Sequence, residues 1–362
     1  MVAPSTSSDL WPYRLHNQLL SKKKLRSPED VVSWFGAVQA QDYAGAKWAL
    51  GLRMRKASDE SIERAFNEGK ILRTHVMRPT WHFVAPADIR WVCELTAPRV
   101  KAANRYMLRQ LKLDHAVFSK SNKVISKALE GKLDLTRAEL AQVLNDAGIK
   151  AEGLRLVYVI MNAELDALIC SGPRRGKQFT YSLIEERCPE SKNFGRVETL
   201  ENLAKRYFAS HGPATLSDFV WWSGLTTKDA EVGLSDAGSH FSPKELGGKT
   251  YWFPRQARTN ERGVDAALLL PTFDEFFVGY RSFDKSRRGE HPYTMPTFSS
   301  PVVSKGKVLG SWRREFKKGE VDIEIVTFGK LSGEEEEELS RSAQKYGEFM
   351  GVPVKCAIKS VR

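Results

Sequence analysis

One pattern recurs along this chain of 362 residues: helical segments, then two short strands joined by a basic or glycine-rich turn. Its clearest copy runs from about residue 122 to 187. Thr136 and Glu139 have the spacing of a capping box. The apolar residues that follow repeat with the 3.6-residue period of an amphipathic helix, at Leu154, Val157, Tyr158, Met161 and Leu165. Two strands then flank the basic turn of "ALICSGPRRGKQFTY". Helix, helix and basic hairpin form the outline of a winged helix.

Two further copies are predicted on either side of this one. In residues 10–92, "SPEDVVSWFGAVQAQD" is expected to be a helix entered through Ser27 and Pro28, and "RPTWHFVAP" is expected to be a strand. In residues 200–254, "TLENLAKRYFASHG" predicts one helix, Thr215 begins another, and "GGKTYWFP" predicts a closing strand. The same supersecondary unit is therefore expected three times.

The character of the chain changes after residue 263. Short aromatic strands and glycine turns predict a β-rich module, which closes with a helix entered through Ser332, with Glu335 at capping-box spacing. The predicted fold class is α+β, with three tandem winged-helix units and a small β-rich C-terminal module. Its predicted divisions are winged helices at 10–96, 122–190 and 195–260, a basic helical connector at 97–121, and the module at 264–362.

Positive charge is concentrated in two of these segments. The chain has 56 Lys and Arg against 44 Asp and Glu, and residues 97–132 alone hold nine basic residues against two acidic ones. Such an excess attracts polyanions, although solubility and a solvated helix face explain it as well. We predict that DNA phosphates are contacted by residues of the connector and of the central hairpin: Lys101, Arg105, Arg109, Arg174, Arg175 and Lys177.

Several familiar kinds of site are missing from the sequence. The four cysteines lie far apart, and the seven histidines show no paired metal spacing, so we expect no metal and no cofactor. Walker A, G-x-G-x-x-G and G-x-S-x-G motifs are also absent from the sequence. The first residues contain no apolar signal segment, and no run of about 18 apolar residues occurs. We therefore expect a cytoplasmic, nucleoid-associated protein without a membrane span.

Two glutamines interrupt the hydrophobic stretch "WFGAVQAQDYAGAKWAL", which covers residues 34–50. Burying the four hydrogen-bonding sites of a glutamine amide unpaired costs about 1–3 kcal/mol. Gln39 and Gln41 must therefore have a role that offsets this cost. Spacing alone is compatible with the capping of a helix end, with hydrogen bonds to a neighbouring unit, or with catalysis.

Five segments resemble the AlkZ-like family of winged-helix DNA glycosylases: "VQAQD", "RTHVMRPTWHFVAPADIRW", "SGPRRGKQFTYSLIEER", "HGPATLSDFVWWSGL" and "LLPTFDEFFVGYR". The resemblance covers roughly residues 10–331. It implies three tandem winged helices around a concave DNA-binding face, and hydrolysis of N7-alkylguanine, including bulky adducts and interstrand crosslinks. The family's catalytic motif is Gln, an apolar residue, then Gln or Asp. Gln39-Ala40-Gln41 matches the Gln–Gln branch, and Asp42 lies one position too late for the Asp branch.

Neutral catalytic residues suit this substrate. An N7-alkylguanine is already cationic and leaves without an enzymic acid, so the site needs a positioned water and an environment that tolerates an oxocarbenium-like sugar. Two amide oxygens can accept the protons of that water. Asp42 and His82 are further candidates for lining the site. Asp42 could stabilise positive charge or cap the next turn, whereas His82 could line the site, contact a phosphate, or be a satisfied buried histidine.

The sequence leaves three functions open. The first is a monofunctional glycosylase, since no lysine nucleophile is identified. The others are a winged-helix transcriptional regulator and a family member that has lost catalysis. Three DNA-binding units in one chain favour a monomer that surrounds a lesion over a dimer on a palindromic operator. The expected partner is double-stranded DNA that carries an alkylated guanine.

Overall fold

The computed structural model describes residues 7–21, 24–190, 194–255, 267–281 and 299–361. From its second helix onward, the first unit has the order helix, short strand, two helices and hairpin. After a 3-10 turn at Ser7–Leu10 the elements are α1 (Trp11–Asn17), α2 (Pro28–Phe35), β1 (Val38–Gln39), α3 (Tyr43–Gly51), α4 (Asp59–Asn67), β2 (Leu72–Val76) and β3 (Thr80–Val84). Strand β3 lies between β1 and β2 and is antiparallel to both.

Helix α2 begins as predicted but ends early. The hydroxyl of Ser27 accepts a hydrogen bond from the Asp30 N–H, and Pro28 occupies the first turn. The helix stops after Phe35, because Gly36 takes a positive φ of 83° that few other residues adopt without strain. The prediction of a helix through "AVQAQD" is therefore wrong. Gln39 lies in a strand instead.

The second unit repeats the order of the first and is preceded by a long helix. Its elements are α5 (Ile89–Gln110), α6 (His115–Leu129), β4 (Leu135–Thr136), α7 (Arg137–Asp146), α8 (Gly153–Leu165), β5 (Ile169–Ser171), β6 (Thr180–Leu183) and α9 (Ile184–Arg187). The capping box of Thr136 and Glu139 is confirmed, since each side chain accepts the other residue's backbone N–H. Strand β6 pairs with both β4 and β5.

The third unit and the C-terminal module complete the described chain. The third unit contains α10 (Arg196–His211), α11 (Leu216–Ser223), α12 (Thr227–Ala237), a 3-10 turn at Gly238–His240, β7 (Phe241–Leu246) and β8 (Lys249–Pro254). The module contains β9 (Leu268–Leu269), α13 (Glu275–Val278), β10 (Ser300–Ser304), β11 (Lys307–Lys317), β12 (Glu320–Thr327), α14 (Gly333–Met350) and β13 (Val354–Ser360). Its strands form one sheet in the order β13-β12-β11-β10-β9, and Ser332 caps α14 as predicted.

Two predicted divisions cut through helices. The boundary at residue 97 falls inside α5, and the boundary at 122 falls inside α6. Residues 97–121 therefore comprise the second part of α5, the turn that follows it and the first part of α6. The start of α5 packs in the core around Trp91, whereas α6 packs in the core around Ile125 and Leu129. The predicted limits at 260 and 264 lie outside the described residues.

The first unit and the C-terminal module share one hydrophobic core. Trp48 of α3 packs edge-on against Tyr346 of α14 at 5.1 Å between ring centroids, and its indole N–H donates to the Leu269 carbonyl at 2.7 Å. The same core contains Trp312 of β11 and Phe83 of β3. This packing brings the β9–α13 segment, residues 268–278, against the Gln39 strand.

The described residues hold neither a helix that could span a membrane nor a metal-binding cluster. No helix in these ranges is long and apolar enough to cross a bilayer. No group of three or more His, Cys, Asp or Glu side chains in them is placed to hold a metal ion. Cys93, Cys170 and Cys188 are buried free thiols, and burial raises the pKa of each above its ordinary value. These three thiols therefore stay protonated at neutral pH.

Candidate active site

The two glutamines lie where β1 ends and α3 begins. Gln39 pairs with His82 across β1 and β3 and is 8% exposed, whereas Gln41 is exposed. Between them, the Ala40 N–H donates to the Trp81 carbonyl at 2.8 Å. The chain then leaves the sheet and enters α3 through Asp42. The motif therefore runs from the protein interior to its surface within three residues.

The amide of Gln39 has a fixed orientation. Arg78, in the turn between β2 and β3, donates from Nη2 to Gln39 Oε1 at 3.2 Å. A guanidinium has only donors, so the atom that faces it must be the amide oxygen and not the nitrogen. An amide oxygen has two lone pairs, and Arg78 uses one of them. The other accepts no hydrogen bond from the described residues.

Gln41 is oriented in the same way by a backbone donor. Its Oε1 accepts from the Trp81 N–H at 3.3 Å, which again defines the oxygen, because an N–H can only donate. Among the described helices, neither glutamine caps an end. Both side chains thus present an oxygen whose orientation another residue sets.

The peptide between the glutamines is held by Arg73. This side chain donates from Nε to the Ala40 carbonyl at 3.0 Å. Its guanidinium carbon lies 4.3 Å from the ring centroid of Trp81 and 4.7 Å from that of Phe179. Burial lowers the pKa of Arg73 to about 10, which leaves it charged at neutral pH. Ring packing and a hydrogen bond therefore fix the backbone of the motif.

Asp42 fills the capping role that the sequence left open. Its Oδ1 accepts from the Gly45 N–H at 3.1 Å and so caps α3. Its Oδ2 lies 3.7 Å from Nη2 of Arg314 in β11. The carboxylate is therefore engaged by the first turn of α3 and by the C-terminal sheet.

His82 is fully buried and neutral. Its Nδ1 lies 3.0 Å from the Thr80 carbonyl, which can only accept, so Nδ1 carries the proton. Nε2 is then a bare acceptor, and it has no hydrogen-bond partner among the described residues. Burial, reinforced by the charge of Arg78, lowers the pKa of His82 to about 4. A fully buried ring does not contact a phosphate, so that alternative is excluded in this structure.

Glu275 was not predicted, yet it contacts the backbone of Gln39. Its buried Oε1 accepts from the Gln39 N–H at 2.7 Å. Its Oε2 accepts from Trp222 Nε1 at 2.8 Å and from His211 Nε2 at 3.2 Å. Burial would raise the pKa of this carboxyl, but hydrogen bonds from His211 and Gln39 outweigh it and hold the pKa below its ordinary value. The carboxylate is therefore ionised beside the motif.

The adjacent acid, Asp274, is also buried and fully paired. Arg53 donates to both of its carboxylate oxygens at 2.8 Å, a bidentate geometry that compensates for burial. Asp274 also caps α13 and so positions Glu275. The only trace of this arrangement in the sequence is two consecutive acids inside the apolar run "LLPTFDEFF".

The predicted DNA contacts of the hairpin differ in accessibility. Arg174 is mostly covered: its guanidinium lies 5.0 Å from the Tyr43 ring centroid, and Nη1 lies 3.4 Å from Glu63 Oε1. Arg175 is half exposed and forms an ion pair with Glu139 at 2.8 Å. Lys177, at the turn, is exposed. Arg174 thus attaches the hairpin to the first unit, whereas Lys177 faces solvent.

The predicted contacts on α5 show a similar difference. Arg105 and Arg109 are exposed. Lys101 forms an ion pair with Asp166, which follows α8. The two arginines therefore provide the more available positive charge on this helix.

Cavities of several hundred Å³ lie away from the glutamines. One of about 530 Å³ is in the third unit, beside Leu216, Leu234 and Trp252. Another of about 510 Å³ lies along the outer strands of the C-terminal sheet, beside Arg313 and Cys356. Neither cavity is lined by Gln39, by Gln41 or by the residues that contact Gln39, which are Arg78, His82 and Glu275. The glutamine motif therefore lies outside both cavities, with Gln39 buried and Gln41 exposed.

Comparisons with known proteins place the chain in a family and identify a solved structure with a similar fold. Residues 32–349 match the family model described as DNA glycosylase AlkZ-like. A curated relative from Streptomyces sahachiroi, named an interstrand DNA cross-link repair glycosylase, is 24% identical over 324 residues, covering 84% of this chain and 86% of that protein. The solved structure of the Streptomyces sahachiroi DNA glycosylase AlkZ superposes with a TM-score of 0.79 at 21% identity, covering 99% of this chain and 100% of that one.

Proposed function

This chain belongs to the AlkZ-like family of DNA glycosylases, and from that premise we propose that it hydrolyses the N-glycosidic bond of N7-alkylguanine in double-stranded DNA. One observation carries the proposal. The oxygens of Gln39 and Gln41 are both oriented by fixed donors, the Arg78 guanidinium and the Trp81 N–H, and each keeps a lone pair. Such oxygens can hold a water without deprotonating it.

The chemistry follows from the charge of the lesion. The base carries a positive charge, so the bond between C1′ and N9 breaks with its electron pair passing to the base, which leaves neutral. Water oxygen bonds to C1′ as positive charge develops on the sugar, and one water proton passes to solvent. The products are free alkylguanine and an abasic site. Gln39 and Gln41 accept hydrogen bonds from the water and direct its lone pair to C1′.

Charges of both signs adjoin the motif, because Arg78 contacts the side chain of Gln39 and Glu275 contacts its backbone. The ionised Glu275 adjoins the Gln39 backbone and contributes negative potential where positive charge develops on the sugar. His82 stays neutral at physiological pH and adds no opposing charge. Asp42, which is engaged by Gly45 and Arg314, is not required as a base. The site therefore relies on position and potential, with no general base.

DNA contact is assigned to the exposed basic residues. Lys177 on the hairpin and Arg105 and Arg109 on α5 are the most available, with Arg175 and Lys101 contributing less because each has an acidic partner. The exposure of Gln41 also leaves room for bulky adducts. Because a relative is named for interstrand crosslinks, we include them among the proposed substrates. The protein is proposed to act as a monomer on chromosomal DNA in the cytoplasm.

The direct test uses a duplex that contains a single N7-methylguanine. The protein is incubated with the duplex, and abasic sites are then converted to strand breaks with alkali. Cleavage at the lesion is expected with the wild type, and much slower cleavage is expected with the Gln39→Ala/Gln41→Ala double variant. Tight binding of damaged and undamaged DNA without cleavage would instead indicate a regulator or a member that has lost catalysis.

A further inference from the structure

Trp221 is an exposed aromatic residue in a helix whose neighbouring tryptophan is buried. It lies in α11 and is 43% exposed, whereas the next residue, Trp222, is fully buried and donates to Glu275. Successive helical residues point about 100° apart, so one indole faces the core while the other faces solvent. Exposing a large apolar ring carries a cost that burial would avoid. A binding role would offset it.

Arg78 links this ring to the glutamine motif. Its guanidinium carbon lies 5.6 Å from the Trp221 ring centroid, and its Nη2 donates to Gln39 Oε1 at 3.2 Å. No carboxylate of the described residues lies within ion-pair distance of Arg78. The positive charge beside Gln39 is therefore not neutralised by direct contact, and it adjoins an open aromatic surface.

The two residues come from different units whose relative position is fixed by close packing. Gly224, immediately after α11, has a positive φ of 70°, and a Cβ there would lie 2.7 Å from the Met77 carbonyl oxygen. Arg99 of α5 also donates to the Gly224 carbonyl at 3.4 Å. The end of α11 therefore touches the turn that carries Arg78. The charge and the ring are held together without a ligand.

We propose that Arg78 and Trp221 form a subsite for a nucleotide adjoining the scissile bond, with the phosphate on the guanidinium and the base on the open face of the indole. This inference rests on the proposed function, since the scissile bond is placed at Gln39 and Gln41. Guanidinium and phosphate form charge-assisted hydrogen bonds, and an exposed indole stacks any base without selecting its sequence. A glycosylase that must accept lesions in every sequence context needs such contacts. Arg78 would then hold the DNA strand through its phosphate and also orient Gln39, so that one side chain aligns the strand with the catalytic amide.

The first experiment measures binding to a duplex that contains a tetrahydrofuran abasic-site analogue, which cannot be cleaved by the enzyme. Trp221→Ala is expected to weaken this binding by about 5- to 150-fold, the range for loss of one base–aromatic stack, and Trp221→Phe is expected to restore most of it. Val197→Ala is the control, because it truncates an apolar side chain exposed on another helix, and it should bind as the wild type does. Thermal melting confirms that each variant is folded.

The second experiment separates the phosphate contact from a structural role of Arg78. Arg78→Met removes the charge and keeps the bulk, whereas Arg78→Lys keeps the charge. Arg78→Met should reduce the slope of log affinity against log salt by about 0.9, and Arg78→Lys should retain the slope. Arg64→Met, which removes an exposed arginine from α4, is the control and should retain the slope as well. A purely structural role would not change the slope of a folded protein.

The outcomes distinguish the subsite from the activity on which it rests. Unchanged binding by folded Trp221→Ala, or an unchanged salt slope for folded Arg78→Met, would overturn the subsite even if N7-methylguanine is excised normally. Failure of the wild type to excise N7-methylguanine would overturn the proposed function. The binding measurements on the uncleavable duplex would still report on the subsite in that case.

Discussion

Gln39 and His82 lie directly opposite each other across β1 and β3, so their side chains leave the same face of the sheet. Neither is charged at neutral pH, since an amide does not titrate and burial lowers the pKa of His82 to about 4. The charged groups nearby, Arg78 and Glu275, act on Gln39 through its side-chain oxygen and its backbone N–H. The proposed catalysis therefore depends on where the amides are held and not on proton transfer to them.

The glutamine pair can be tested by single substitutions. Gln39→Ala and Gln41→Ala should each slow single-turnover excision of N7-methylguanine by about 5- to 150-fold, because one orienting hydrogen bond contributes about 1–3 kcal/mol in the transition state. The double variant should lose less than the product of the single losses, since both amides hold one water. Quenched-flow or manual time courses with excess enzyme measure these rates.

Gln142→Ala is the matched control, because it removes an exposed glutamine from α7. Its rate should equal that of the wild type. Melting temperature and affinity for lesion DNA are measured on all variants. If Gln39→Ala or Gln41→Ala melts early but keeps its rate after correction for the folded fraction, the residue is structural and the catalytic assignment is wrong.

The charge of the lesion should determine which bases are released. Cationic N7-methylguanine should be excised, whereas neutral uracil and 8-oxoguanine should be excised hardly at all, because no group of the glutamine pair can protonate a poor leaving group. Parallel duplexes that differ only in the lesion, assayed by alkaline cleavage, measure this selectivity. Efficient release of uracil would contradict the account of the glutamines given above.

Local features were predictable from the sequence, and contacts between distant segments were not. The capping boxes at Thr136 and Ser332 form as predicted, because each depends on residues three positions apart. The contact of Gln39 with Glu275 joins residues 236 positions apart, and only the packing of α13 against β1 creates it. Arg78 was overlooked for the same reason: its position in "MRPTWHFV" gives no sign that a tight turn brings it to Gln39.

The basic residues of the hairpin between β5 and β6 look alike in the sequence but have different roles. Arg174→Ala should lower stability more than DNA affinity, since this guanidinium stacks on Tyr43 and Phe179 and lies near Glu63. Lys177→Ala should leave stability unchanged and reduce the slope of log affinity against log salt by up to about 0.9. Thermal melting and salt titrations of binding measure the two effects. Equal slopes for Lys177→Ala and the wild type would mean that the hairpin faces away from DNA.

Helix α5 allows a comparison within one element. Arg105→Ala and Arg109→Ala should each weaken binding to any duplex and reduce its salt slope, because both side chains are exposed. Lys101→Ala should have a smaller effect, since Lys101 already forms an ion pair with Asp166. Fluorescence anisotropy on undamaged DNA at several salt concentrations measures this. A larger loss of affinity in Lys101→Ala than in Arg105→Ala and Arg109→Ala would contradict the assignment of the two arginines as the main DNA contacts of α5.

The buried His82 should make the protein sensitive to acid. The pKa of His82 in the folded protein is about 4, below the ordinary value of 6.5, so the unfolded chain binds a proton at a higher pH than the folded protein does. The free energy of unfolding should therefore fall as the pH drops from about 6.5 to 4. Each pKa unit corresponds to about 1.4 kcal/mol, so the loss is about 3.5 kcal/mol at most.

Urea unfolding of the wild type and of His82→Phe at pH 7.5, 6, 5 and 4.5 measures this dependence. The variant should be less sensitive to pH, because a ring of similar size without a titrating group occupies the same place. Some dependence should remain, since burial also lowers the pKa of His211. If both proteins lose stability equally between pH 6.5 and 4.5, His82 is protonated without cost in the folded state. The assignment of a neutral His82 ring opposite Gln39 would then be wrong.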